Sequence, residues 1–348
     1  MRIVDLRRRL RAHGALPIHE HRVLRLWSQA LPQASGKRKP EDFLPRSVRD
    51  ALPELEADLH ALARLRSEHP AADGSARLLI DLADGQSVEA VLLPRGGVCV
   101  SSQVGCAVGC VFCMTGRDGL LRQLGSAEIV AQVVRARERR PGAIRRVVFM
   151  GMGEPAHNLD NVLEAIDLLG TEGGIGHKNI VFSTVGDARV FERLPQGRVK
   201  PALALSLHST SAELRAQLLP RAPSLLSPDE LVEHAEAYAR ATGYPVQYQW
   251  TLLAGINDTE AEMDGIVRLL KGRYAVMNLI PYNRVEGLDF ERPTDERSQR
   301  IARALQARGV LTKLRQSAGQ GVQAGCGQLR ARQQVSGAVR IPIQAVQP

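Results

Sequence analysis

Apolar positions recur at two periods along this chain, and the switch between them divides it. Over the first ~70 residues they fall in short helical clusters, interrupted by Pro32, Pro40, Pro45 and Pro53. Val23, Leu24, Leu26 and Trp27 supply one apolar face, GKRKP a basic connection, and SEHPAADGS reads as a linker. The run RLLIDLADGQSVEAVLLP then carries two apolar segments around Asp84-Gly85, which predicts a β-hairpin.

Beyond the hairpin, strand-like and helix-like segments alternate. Helices are predicted at 127–140, 161–169, near Val190, 228–242, 259–270 and 295–308. Strands are predicted at 145–150, 179–183, 202–207, 246–252, 275–280 and 310–315. The helix at 228–242 is announced by a capping box, Ser227 with Glu230. Alternating βα units imply a parallel sheet, and about six of them fall short of a closed eight-fold barrel. The expectation is an α/β fold, a partial (β/α)6 barrel with a small helical N-terminal domain. Its boundaries are 1–72 for the helical domain, 73–98 for the hairpin connection, 99–330 for the core and 331–348 for a tail.

Chemistry collects at the C-terminal ends of the strands in such barrels, and the unusual motifs fall there. GMGEP (Gly151 to Pro155) follows one strand, Ser183 and Thr184 end the next, SLH (206–208) ends a third, and PYN (281–283) follows another. The run CVSSQVGCAVGCVFCMTG places Cys106, Cys110 and Cys113 at C-x3-C-x2-C spacing. Three thiolates can hold three irons of a [4Fe–4S] cluster and leave the fourth open to a substrate. Zinc would call for a second cysteine pair, whereas only Cys99 and Cys326 remain elsewhere. Five cysteines in 348 residues do not make a disulfide framework either.

Composition narrows the partner. The net charge of +9 and pI near 9.7 favour an acidic partner, nucleic acid first. Arginines cluster at 7–9 and 135–140, at Arg330 and Arg332, and beside lysines at 37–39. Each cluster alone reads as a solvated helix face; their combined bias suggests phosphate contact. At 4% aromatic residues, stacking of many bases is disfavoured. No stretch approaches a membrane span or a secretory signal, and reduced cysteines suit the cytoplasm.

The cysteine spacing resembles that of radical S-adenosylmethionine enzymes, in which the cofactor's amino and carboxylate groups fill the open iron. More specifically, residues 77–330 resemble the RlmN/Cfr family of radical S-adenosylmethionine RNA adenosine methyltransferases. The likeness rests on CVSSQVGC, SAEIVAQV, VVFMGMGEPAHNLDNV, LSLHSTSAELR, NLIPYN and AGCGQL. The resemblance implies that Cys106, Cys110 and Cys113 hold the cluster. It implies that Gly153, Glu154, Ser183, Ser206, Leu207, His208 and Asn283 line the S-adenosylmethionine pocket. Cys326 resembles the family's methyl-carrying cysteine, Cys99 its resolving partner through a transient disulfide, and Glu89 its proton acceptor. Methylation of an adenosine ring carbon in ribosomal or transfer RNA follows, C2 favoured over C8, with an electron donor such as flavodoxin. The segment GQGVQAGC lacks the acidic residues typical of the adenine-C2 enzymes, and STVG stands for the usual STSG. A paralogue acting on a different adenosine, or a radical enzyme of another reaction class, therefore stays open as an alternative.

Overall fold

The computed structural model describes residues 1–222 and 226–331. The N-terminal helices α1 (Ile3–Ala12), α2 (Pro17–Ser28) and α3 (Arg46–Ala61) are amphipathic. Helix α1 buries Ile3, Leu6 and Leu10, spaced by three and four residues along one face, with Asp5 in its first turn and Arg9 and Arg11 in its last. Pro53 does not break α3 as expected but lies inside it. Packing of Val48, Leu52, Leu55 and Leu59 compensates for the hydrogen bond a proline withholds.

Three antiparallel strands follow: β1 (Arg64–Pro70), β2 (Ala76–Asp81) and β3 (Ser87–Leu93). The β2–β3 hairpin turns at Asp84-Gly85 as predicted, Gly85 at φ +82°. The expected linker is a correction, because its first half, Ser67–Pro70, belongs to β1. Next come β4 (Gly97–Cys99), the short β5 (Gln103–Gly105) and β6 (Leu120–Gln123) pair that brackets the cysteine loop, and α4 (Ser126–Arg139).

The remaining elements are β7 (Arg146–Phe149), α5 (Leu159–Thr171), β8 (Ile180–Thr184), α6 (Ala188–Arg193) and β9 (Ala202–Ser206). They are followed by α7 (Ala212–Leu218), α8 (Pro228–Thr242), β10 (Val246–Leu252), α9 (Glu260–Leu270), β11 (Ala275–Pro281), α10 (Asp295–Ala307) and β12 (Thr312–Leu314). Among the described residues the main sheet runs β1-β2-β3-β4-β7-β8-β9-β10-β11-β12. Pairing is parallel from β4 onward and antiparallel before it. The α/β fold with a partial parallel barrel is thus present. Strands β8 and β9 are apolar and buried almost throughout, as strands covered on both faces must be.

The arginine run 135–140 is not a free basic face. Arg137 donates to the carbonyls of Ser28 and Gly173, Arg139 pairs with Glu68, and Arg140 donates to the carbonyls of Leu93 and Gly74. These arginines bolt the N-terminal helices and the antiparallel strands onto the barrel. Among the described residues no helix is long and apolar enough to cross a membrane. The expected tail, from residue 332 on, lies outside the described residues.

Candidate active site

The C-terminal strand ends supply the site. After β7 the chain makes the GMGEP turn, stitched onto the strand-like Ser101-Ser102-Gln103 segment. Ser101 Oγ accepts from the Met152 amide (2.8 Å) and donates to the Glu89 carbonyl (2.6 Å), while Gln103 Oε1 accepts from the Glu154 amide (2.7 Å). Gly153 sits at φ +101°, and a Cβ there would lie 2.6 Å from Gln103 Cβ and Cγ. Only glycine combines that dihedral with that approach.

Glu154 is buried, its Oε1 accepting from the Ala156 amide (2.9 Å) and its Oε2 from the Val185 amide (3.0 Å). Burial nevertheless pushes its pKa up to about 7. A carboxylate so placed suits a cationic or N–H-donating ligand. Ser183 is the last residue but one of β8, Ser206 ends β9, and Leu207 and His208 follow. His208 is buried in the left-handed region (φ +62°), its Nδ1 accepting from the Thr251 amide (3.0 Å) and its ring edge-on to Phe112. Burial lowers its pKa to about 3, so it is a neutral acceptor. After β11, Asn283 Nδ2 donates to Ser317 Oγ (2.8 Å) and to the Cys326 carbonyl (3.0 Å).

Sequence reasoning passed over Arg215. It lies on α7, which the periodicity did not reveal, and it is buried beside Leu218 on that helix's inner face. Its guanidinium donates to the carbonyls of Leu207 (3.1 Å), Ser206 (3.4 Å) and Val185, and its charge reaches Cys110 and Glu154. A charge at an apolar position of LSLHSTSAELR was the signal that could have found it.

Cys106, Cys110 and Cys113 interact electrostatically with one another, and Cys106 and Cys110 with Glu154. All three thiols are pushed up, chiefly by burial, Cys106 to about 12. Among the described residues no three His, Cys, Asp or Glu side chains converge as ligands of a single metal ion would. The three thiols lie within electrostatic range of one another, and burial leaves their thiolates in need of a cationic centre, which an iron–sulfur cluster would supply with one thiolate on each of three irons. The residues present fit a [4Fe–4S] group.

The loop carrying Cys326 is lashed to the cysteine loop. The Met114 amide donates to the Gly327 carbonyl (2.7 Å), Thr115 Oγ1 to the Leu329 carbonyl (2.7 Å), and Arg330 pairs with Asp118 (2.9 Å). Cys326 is exposed and interacts with both Cys99 and Cys113. Cys99, at the end of β4, is buried and its pKa pushed up to about 12. Glu89, on β3, is also buried: Oε1 pairs with Arg77 (2.5 Å), and Oε2 accepts from the Arg330 (2.7 Å) and Ala331 (3.1 Å) amides.

A parallel partial barrel with three gathered thiols at its mouth defines a class, and comparison with known proteins agrees. Residues 100–270 match the Radical SAM superfamily, to which the chain belongs. It is 69% identical over 346 residues to a Leptothrix cholodnii protein named "Probable RNA methyltransferase", spanning 99% of both chains. A Methylibium petroleiphilum protein of the same description is 71% identical over 346 residues, 99% of this chain and 97% of its own. The chain is a member of their family. A radical SAM methyltransferase structure from Sphaerobacter thermophilus superposes with a TM-score of 0.80 at 35% identity, over 95% of this chain and 98% of that one.

Proposed function

We propose that the protein methylates a ring carbon of an adenosine in RNA, ribosomal or transfer, with C2 favoured over C8 and Cys326 as the methyl carrier. The observation that carries the reading is the placement of Cys326. An exposed thiol is strapped to the cluster loop, within interaction range of Cys113 on one side and buried Cys99 on the other. The family's RNA methyltransferase names support the substrate class.

When bound, the [4Fe–4S] cluster and S-adenosylmethionine supply a carbon radical by one-electron cleavage, with the electron coming from a donor such as flavodoxin. The chain's own residues do the rest. Cys106, Cys110 and Cys113 would hold three irons. Glu154 would take the cofactor's amino end, with Gly153, Ser183, Ser206, Leu207, His208 and Asn283 shaping the pocket. The Cys326 thiolate forms a C–S bond to a methyl group as the sulfonium C–S bond breaks and its electron pair leaves with S-adenosylhomocysteine. Cys99 releases the product: its sulfur bonds to the Cys326 sulfur, the bond from Cys326 to the product carbon breaks, that carbon keeps the pair and takes a proton, and the disulfide left behind is reduced by an external dithiol before the next turnover. Burial keeps the Cys99 thiol protonated and inert until then.

Glu89 is the family's candidate proton acceptor, but its contacts favour a second role. Both carboxylate oxygens are engaged, with Arg77 and with the backbone just after the Cys326 loop, which makes it a clamp for that loop. We also propose residues 1–72 as an RNA-binding-type domain, helical up to β1, with 73–98 as its connection, 99–330 as the catalytic core and 331–348 as a tail, in a cytoplasmic protein.

The test is nucleoside mass spectrometry of ribosomal and transfer RNA after anaerobic incubation with reconstituted protein. Methyladenosine from the native protein and none from Cys326→Ala is expected. A Cys326→Ala protein that still methylates RNA would refute the carrier role. Formation of 5′-deoxyadenosine without any methylated RNA would favour a radical enzyme of another class.

A further inference from the structure

Asn283 alone among the residues assigned to the cofactor pocket also grips the Cys326 loop. Its Nδ2 spends both hydrogens there, on Ser317 Oγ at 2.8 Å and the Cys326 carbonyl at 3.0 Å. The approach is close: a Cβ on Gly325 would lie 2.9 Å from that nitrogen. Two donated bonds fix which way the amide faces. The other branch, Oδ1, is buried with no hydrogen-bond partner, and the residue as a whole is 5% exposed. A buried acceptor left unmet is costly, and native proteins rarely keep one without a use.

We propose that Asn283 is a two-sided positioning residue: Oδ1 accepts a hydrogen bond from bound S-adenosylmethionine while Nδ2 holds the backbone of Cys326, so cofactor occupancy and placement of the methyl-carrying thiol are coupled. This rests on the reading of the pocket as the S-adenosylmethionine site. The coupling has a direct physical route. Satisfying Oδ1 fixes the amide plane, and the amide plane sets where both N–H bonds point. Elsewhere the Cys326 loop is held by Thr115 on the Leu329 carbonyl, the Arg330–Asp118 pair, Glu89 on the Arg330 and Ala331 amides, and Gln328, whose Oε1 accepts from the Gly325 amide. Among the described residues, Asn283 is therefore the side chain linking the end of β11 directly to the Cys326 peptide unit.

The coupling is read on anaerobic, cluster-loaded protein without reductant, with S-adenosylhomocysteine as the probe. Its Kd is measured by calorimetry. The rate at which iodoacetamide alkylates Cys326 is followed by peptide mass spectrometry with and without the probe. Occupancy should change the native rate about fivefold or more, the lower end of ordinary site-to-site coupling. Asn283→Asp keeps the acceptor and loses both donors. With its own Kd measured and the probe at saturation, this variant should show the effect on alkylation collapsing towards none. An effect that survives in Asn283→Asp, as direct blocking of the thiol by the ligand would give, overturns the proposal. Asn283→Ala removes both sides, and coupling retained there overturns it too, should the aspartate variant not fold. If the native protein does not bind the probe, the pocket reading itself falls; binding without coupling sinks the inference alone.

Discussion

Replacing Glu89 separates a clamp from a proton acceptor. The carboxylate is 1% exposed, faces Arg77, and receives the amides of Arg330 and Ala331. Glu89→Ala leaves Arg77 without its counter-charge and frees two amides at the end of the Cys326 loop. Breaking a buried ion pair from one side costs roughly 3–5 kcal/mol. Arg77 keeps some access to water, its side chain being 18% exposed, so the lower end, about 3 kcal/mol, is expected. Glu89→Gln keeps the shape and an acceptor but loses the charge, and should cost about 2 kcal/mol, the scale of a hydrogen bond to a charged group. Urea unfolding followed by circular dichroism reads the total. Hydrogen exchange at the Arg330 and Ala331 amides reads the clamp itself and should accelerate in both variants, more in the alanine. Unchanged exchange at those amides, with stability within about 0.5 kcal/mol of native, would refute the clamp reasoning. If Glu89→Gln were stable and clamped yet unable to methylate RNA, proton acceptance would be its main role.

His208, held neutral by burial with its pKa lowered to about 3, should not titrate between pH 5 and 8 in nitrogen-detected NMR; a titration near pH 6.5 would contradict its burial. Because the unfolded chain takes up that proton first, stability falls as pH drops below about 6.5, by roughly 2 kcal/mol at pH 5 from this group alone. Gly153→Ala should weaken S-adenosylmethionine binding by at least about tenfold in equilibrium dialysis, since the methyl meets Gln103 at 2.6 Å and φ +101° resists a side chain; native affinity would count against the turn's role. Cys99→Ala should trap RNA covalently on Cys326, seen as a retarded band on a denaturing gel, and its absence would remove Cys99 from product release.

The barrel was legible in the sequence because its helices and strands carry their own signals. The capping box of α8 is present, Ser227 Oγ accepting from the Glu230 amide (3.3 Å), and Gly243 closes that helix at φ +73°. Strand β1 was not legible, because RLRSEHP is polar and ends in proline. It is an edge strand, and edges carry charges and prolines to deter further pairing. The arginines of α4 misled in the opposite direction, since a basic run looks solvated until its carbonyl partners are in place. The cluster cysteines, GMGEP and SLH announced the strand ends they occupy. The bond of Arg215 to the Val185 carbonyl and the grip of Asn283 on Cys326 did not show, because both depend on neighbours far away in the chain that only the folded barrel brings near.

The central claim is that Cys326 carries the methyl group. Its most direct test is peptide mass spectrometry of the protein after anaerobic incubation with S-adenosylmethionine bearing an isotopically labelled methyl group. The peptide containing Cys326 should gain one labelled methyl group, and the label should pass to adenosine when RNA and reductant are added. RNA that acquires the label while Cys326 never does would contradict the account.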